Sequence, residues 1–319
     1  MKSENETNDL LKKLDQGLTE LFESENYKNY LDTMSKFHNY SFNNTLLIAL
    51  QNPGATHVAS YTDWKNKFHR QVMKGEKAIR IIAPAPYKKE IEKEVKNELT
   101  GEIKKEKSEI VIPAYKAVSV FDISQTEGDE LPVIGVDELK GDVGNYEELK
   151  DILKNLSPVD ILYEDIPSDA KGFYDITEKR IVIKKEMEQM QEIKTLVHEI
   201  AHALLHDKDG SLVDNVTQDT EWNRRTKEVQ AESVAYTVCQ HLGIDTSEYS
   251  FGYIAGWSSG REKKELKNSM ETIRKTVNHL IGGIEKEQMS RLKVLEEKEI
   301  KIEENLSKMD CNKKFRIHM

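Results

Sequence analysis

The run His198-Glu199-Ile200-Ala201-His202 sets two histidines four residues apart with a glutamate beside the first. An α-helix turns about 100° per residue, so residues four apart share a face, and two imidazoles placed that way can hold one tetrahedral Zn²⁺. Glu199 is then positioned as general base on water activated by that ion. The pattern fixes only three positions, so its flanks must support it. Thr195, Leu196, Val197, Ile200, Ala201, Ala203, Leu204 and Leu205 surround it with apolar or small side chains, as expected of a buried helix. A surface helix with two unrelated histidines is the plainer alternative, and these flanks speak against it.

A catalytic zinc takes three protein ligands and leaves one position open, so a further ligand is required downstream. His206 is the nearest candidate, but it lies a full turn further along the same helix and is too far to close a tetrahedron. The metzincin pattern calls for glycine and histidine where Leu205 and Lys208 stand, which excludes that class. Residues 224–242 form the next strong helical segment and place Glu228 and Glu232 on one face, followed by apolar Val234, Ala235, Tyr236 and Val238. Carboxylates on a buried face are costly unless they meet a cation. Glu228 is read as the third metal ligand and Glu232 as the acceptor that orients a ligand histidine, with the exchange of their roles left open. A solvated face carrying Lys227 and Glu228 is the alternative.

The segments before and after this pair suggest how a substrate is held. A strand just ahead of the metal helix pairs with extended substrate in zinc peptidases, and Ile181-Val182-Ile183 is the expected edge strand. After it, Tyr249, Phe251, Tyr253 and Trp257 form an aromatic cluster. Tyr249 or Tyr253 could donate to a developing oxyanion, although packing is the commoner use of such a cluster.

A second constellation lies in the N-terminal half. Lys65, Lys67, Arg70, Lys74, Lys77, Arg80, Lys88 and Lys89 stand against only Asp63 and Glu76, interleaved with Tyr61, Trp64, Phe68 and Tyr87. Cations that follow a phosphate backbone, with aromatic faces for unpaired bases, make a sequence-tolerant grip on single-stranded nucleic acid. The competing reading makes Trp64 and Phe68, four apart on a helix, core residues under a solvated basic face.

The whole chain is acidic, with net charge -10 over 319 residues, which argues against a protein that coats nucleic acid throughout. Its 37% hydrophobic content is enough for packed domains. No run of eighteen apolar residues could span a membrane, and the polar residues 1–9 lead into no apolar leader. Cys239 and Cys311 suggest no disulfide framework and read as reduced thiols, so a cytoplasmic protein without a membrane partner is expected.

The periodicities predict an α+β chain. Helices are expected near residues 10–22, 27–37 and 44–50, with a short helix capped by Thr62 or Asp63, then a β meander from residues 79–82 to 110–121. The Lys/Glu-rich interval 88–109 reads as a solvated hairpin. The expected domains are 1–125, a linker at 126–144, a zincin-like domain at 145–285 and a helical tail at 286–319. A helix is expected over 261–281, interrupted by Gly282-Gly283.

Two sets of segments carry a family resemblance. The run from Phe37 to Asn44, the turn from Gln51 to Thr56, Trp64, and Lys74-Gly75-Glu76-Lys77 resemble the N-terminal single-stranded-DNA-binding domain of ArdC-type antirestriction proteins. The stretches from Thr195 to His202 and from Glu228 to Tyr236 resemble the zincin-like peptidase domain of that family and are similar to ImmA/IrrE metallopeptidases. Residues 250–257 are similar to variants on conjugative elements of Gram-positive bacteria. The resemblance implies a mobile-element accessory protein acting on entering single-stranded DNA, and contact with DNA by Trp64, Lys74 and Lys77, to which the basic segment adds Lys67 and Arg70. It leaves the hairpin at 88–109 without a counterpart. The combined expectation is a single-stranded-DNA-binding protein with a zinc-dependent endopeptidase whose protein substrate is unknown. The rivals are a non-catalytic DNA-binding antirestriction protein with a structural zinc, and an ImmA-like peptidase that cleaves a repressor.

Overall fold

The computed structural model describes residues 2–96, 103–131, 146–207, 221–244, 246, 251–252 and 254–316. The fold is α+β and divides into two compact units, residues 1–133 with 250–271, and 134–249 with 272–319.

In the first unit, α1 (Lys2–Glu20), α2 (Ser24–Lys36) and α3 (Phe42–Gln51) bury one apolar stripe each. Leu10, Leu14, Tyr27, Tyr30, Leu31, Met34, Leu46, Leu47 and Ile48 form the core between them. Ser41 caps α3 by accepting from Asn44 N–H. The strands that follow are β1 (Val58–Ala59), then, after α4 (Tyr61–Asn66), β2 (Arg70–Val72), β3 (Ile79–Pro84), β4 (Tyr87–Lys96), β5 (Ile103–Ile112), β6 (Tyr115–Asp122) and β7 (Thr126–Gly128). Their pairing gives a β1-β6-β3 sheet, a β2-β7 pair and a β4-β5 hairpin, so the Lys/Glu interval is a ten-pair antiparallel ladder. Ser60, not Thr62 or Asp63, caps α4, because its hydroxyl accepts from Asp63 N–H.

α3 covers the outer edge of β3 with two side-chain amides. Asn44 donates to Ile82 O and accepts from Ile82 N–H, both at 2.9 Å. Gln51 does the same to Arg80, at 2.9 and 3.1 Å.

Asp122, 1% exposed, ties β6 to the loop ahead of β1. Its carboxylate accepts from the N–H groups of Thr56, His57 and Ser124 and from the Ser124 hydroxyl. Burial alone would raise its pKa, but these four donors outweigh it and hold the carboxyl below its ordinary value. A depressed folded pKa contributes stability above the unfolded value near ~4 that is lost as pH falls through the folded one. Asp122→Asn should therefore cost about 1–3 kcal/mol at pH 7. The gap between the denaturant midpoints of the two proteins should narrow as the pH falls below the unfolded value toward the folded one, and an unchanged gap would contradict this account.

The segment 250–271 is expected in the zincin-like domain, but its Phe251 and Trp257 bury with the first unit. Phe251 packs on Tyr27 at 5.2 Å and Trp257 on Phe22 at 5.7 Å between ring centroids, and α8 (Ile254–Ser258) carries the tryptophan.

The second unit contains α5 (Tyr146–Leu156), β8 (Asp160–Glu164), β9 (Gly172–Asp175), β10 (Arg180–Lys184), α6 (Gln189–His206) and α7 (Glu221–His241). Its sheet has the order β8-β10-β9, with β10 parallel to β8 and antiparallel to β9. α6 buries Ile193, Leu196, Val197, Ile200, Ala201 and Leu205, and α7 buries Val229, Ala231, Val234, Ala235, Val238 and Cys239. α9 (Lys263–Arg316) runs through Gly282-Gly283 without a break, contrary to expectation. The reason is close approach: a Cβ at Gly283 would stand 2.6 Å from Leu156 Cδ2 of α5. No helix among the described residues is long and apolar enough to cross a membrane.

Candidate functional site

α6 delivers His198, Glu199 and His202, and α7 delivers Glu228 and Glu232 to the same place. His198 Nε2 and His202 Nε2 are 3.1 Å apart, and the Glu228 carboxylate lies 3.7 Å from the first and 3.6 Å from the second. Donors about 2.1 Å from a tetrahedral zinc stand roughly 3.4 Å from each other, so this set fits such an ion with little movement. The imidazoles of His198 and His202 beside it hold the Glu228 carboxyl far below the usual carboxylate range, a preference that a bound cation would share. Glu232 lies on the other side of His198, 3.9 Å from Nδ1. Of the two carboxylates it is Glu228 that faces both Nε2 atoms.

Glu199, beside His198 on α6, is 7% exposed. Burial raises its pKa, while its carboxylate accepts the Tyr174 backbone N–H from β9. A carboxyl pushed upward by burial takes up a proton more readily than an exposed one, as a general base must.

A cleft of about 400 Å³ opens beside it, lined by Lys171, Gly172, Gln191, Lys194, Thr195, His198, Glu199 and Glu232. The substrate-aligning strand expected at Ile181–Ile183 is corrected here. β10 is paired on both sides, and these three side chains are at most 1% exposed, so it offers no edge. The edge beside the cleft belongs to β9. Lys184 N–H donates to Lys171 O at 2.9 Å, so the alternation of an antiparallel pair turns the main chain of Gly172 and Tyr174 outward. Tyr174 spends its N–H on Glu199. Gly172 must be glycine, because a Cβ would meet Thr195 Cγ2 at 2.8 Å.

His206, rejected as a ligand on its distance along the helix, is 7% exposed and in direct contact with His202. Its Nδ1 lies 2.9 Å from His202 Nδ1, and its Nε2 lies 3.1 Å from Gln230 Oε1. Burial pushes its pKa down to about 3, so it is neutral at about pH 7. The four-residue step from His202 is the readable signal for this contact, whereas nothing in the local pattern singles out Gln230. Tyr249 and Tyr253 lie outside the described residues.

In the first unit the five expected DNA contacts divide. Trp64 is 1% exposed and donates its indole N–H to Phe121 O at 2.8 Å, so no ring face is open to a base. That corrects the stacking role and agrees with the core reading. Arg70 is engaged internally: its guanidinium donates to Thr126 Oγ1 and O and to the Gly128 and Asp129 carbonyls. Lys67 pairs with Asp63 at 2.6 Å but keeps 70% of its side chain exposed. Lys74 and Lys77 are exposed on a turn around Gly75, whose φ of +95° suits glycine. Gln125 fixes that turn through Glu76 and Lys77 O. The exposed aromatics of the same basic segment are Tyr61, Phe68 and Tyr87, at 47%, 37% and 53%.

Residues 3–121 match the family described as the N-terminal domain of anti-restriction factor ArdC, and residues 157–249 match the IrrE N-terminal-like domain of a peptidase family. An uncharacterized protein of Bacillus anthracis is 30% identical over 88% of this chain, which spans about half (51%) of that protein's length. Two crystal structures of the antirestriction protein ArdC from the R388 plasmid, one metal-free and one with Mn(II), align over 76% of this chain and 84% of theirs. Their identities are 21% and 20% and their TM-scores 0.45 and 0.47. A match to the ArdC N-terminal domain thus stands ahead of a match to an IrrE-like peptidase domain, in the order that the sequence resemblance implies.

Proposed function

We propose that this protein is a zinc-dependent endopeptidase carried on a single-stranded-DNA-binding domain, serving antirestriction as a mobile element enters a cell. The observation that carries the proposal is the convergence of His198 Nε2, His202 Nε2 and a Glu228 oxygen, all within 4.8 Å of one another, beside a buried Glu199. A Zn²⁺ held by His198, His202 and Glu228 would supply Lewis acidity to a carbonyl and would lower the pKa of bound water toward neutrality. Glu199 takes the proton from the attacking water and returns it to the leaving nitrogen. The outward main chain of β9 at Gly172 aligns an extended peptide, and Glu232 orients the His198 ring. Metal analysis of the purified chain tests the first step: about one zinc per chain is expected, falling sharply on His202→Ala, and a wild type that stays metal-free in excess Zn²⁺ would end the proposal.

The DNA half rests on the exposed cations Lys65, Lys67, Lys74 and Lys77 with Tyr61 and Phe68 in the same segment. Each phosphate that is no longer neutralised should reduce the slope of log affinity against log salt by roughly 0.7 for a single strand. Replacing Lys74 and Lys77 together by Ala should therefore flatten that slope by about 1.4 on a labelled single-stranded oligonucleotide. An unchanged slope would remove both residues from the interface. A regulatory peptidase directed at a repressor is the second reading, favoured by the IrrE-like match. Cleavage indifferent to added DNA would support it.

A further inference from the structure

We infer that His206 and Gln230 form a relay that fixes the tautomer of His202, making His206 a positioning residue for the metal site. The inference rests on the metal reading above and adds to it the way one ligand is prepared. A histidine binds a metal through a ring nitrogen that carries no proton, and the hydrogen bond at its other nitrogen decides which one that is. His202 Nε2 faces His198 and Glu228, whereas His202 Nδ1 faces His206 Nδ1 at 2.9 Å. His206 Nε2 in turn faces Gln230 Oε1 at 3.1 Å.

A metal at His202 Nε2 needs that nitrogen free of its proton, so the proton of His202 sits on Nδ1 and His206 Nδ1, 2.9 Å away, accepts it. His206 then carries its own proton on Nε2, which faces Gln230 Oε1, an atom that only accepts. The opposite distribution would put the proton of His202 on Nε2 and close that position. The two ligand histidines are thus supported differently. His198 Nδ1 looks toward the Glu232 carboxylate, while His202 depends on a neutral imidazole and an amide held between α6 and α7. Burial of His206 at 7% exposure keeps water from replacing either partner.

The test measures Zn²⁺ affinity by competition with a chromogenic chelator, alongside thermal melts of the metal-free proteins. His206→Leu retains bulk but no acceptor, and should weaken Zn²⁺ binding by about 10- to 100-fold. Gln230→Leu should weaken it in the same direction, and His206→Gln, which restores an acceptor oxygen, should recover most of the loss. Should His206→Leu fail to give a cooperative melt, the Gln230→Leu and His206→Gln pair decides the matter on its own. Affinities within about twofold of wild type in the folded leucine variants, far short of the loss expected for such a partner, or a fall in melting temperature with affinity intact, would overturn the relay and leave the metal site standing. A wild-type chain that takes up no Zn²⁺ would overturn both.

Discussion

Glu199→Gln should lower peptide-bond hydrolysis by a factor on the order of 10²–10⁴ while zinc content stays at the wild-type level. The amide matches the carboxylate in size and still accepts the Tyr174 N–H, so the edge of β9 stays pinned to α6. What it removes is the ability to take up a proton. The readout is turnover of a quenched peptide library by wild type and variant loaded with the same Zn²⁺. A variant that hydrolyses the library at the wild-type rate would dismiss Glu199 as the base. A zinc-loaded wild type that cleaves no member would favour the non-catalytic DNA-binding reading.

Trp64→Ala should destabilise the first unit by about 3–5 kcal/mol, the loss expected when a buried aromatic side chain is cut to a methyl. The indole is among the largest fully buried side chains, packs on Phe68 at 5.0 Å and reaches across to the Phe121 carbonyl. Trp64→Phe keeps much of the apolar packing and loses the hydrogen bond, so it should cost less and leave single-stranded-DNA affinity within about twofold of wild type. Denaturant unfolding reads the first effect and oligonucleotide titration the second. A phenylalanine variant that folds normally but binds DNA about tenfold more weakly, a difference of roughly 1.4 kcal/mol, would restore the stacking role to Trp64.

Local periodicity encodes much of the site and makes that part legible in the sequence. His198, Glu199 and His202 lie on α6 as their spacing requires, and Glu228 and Glu232 reach them because their own helix is apolar on the face that packs against α6. Pairing across the sheet is harder to read. Ile181, Val182 and Ile183 resemble a substrate edge because of their place ahead of the metal helix, yet an unbroken apolar run belongs to a strand covered on both faces. Trp64 shows a different limit: four-residue spacing to Phe68 fits both a stacking platform and a core, and only the arrival of β6 beneath it decides. Gly282-Gly283 reads as a helix break because propensity is local, whereas the space Gly283 yields to Leu156 is tertiary. His206 in isolation can be weighed only as a ligand, and its support of a ligand depends on Gln230 arriving from a separate helix.

The amide pairs from Asn44 and Gln51 to β3 have a consequence for how the first unit behaves in a crowded cell. A free strand edge is a template on which another chain can add itself, and proteins usually block it with charge, bulges or a covering loop. Here a helix supplies the block by imitating a neighbouring strand at Arg80 and Ile82, satisfying donor and acceptor of both residues. The sheet therefore ends at that edge by chemistry instead of by repulsion, and two amide side chains on α3 act as its guard against self-association.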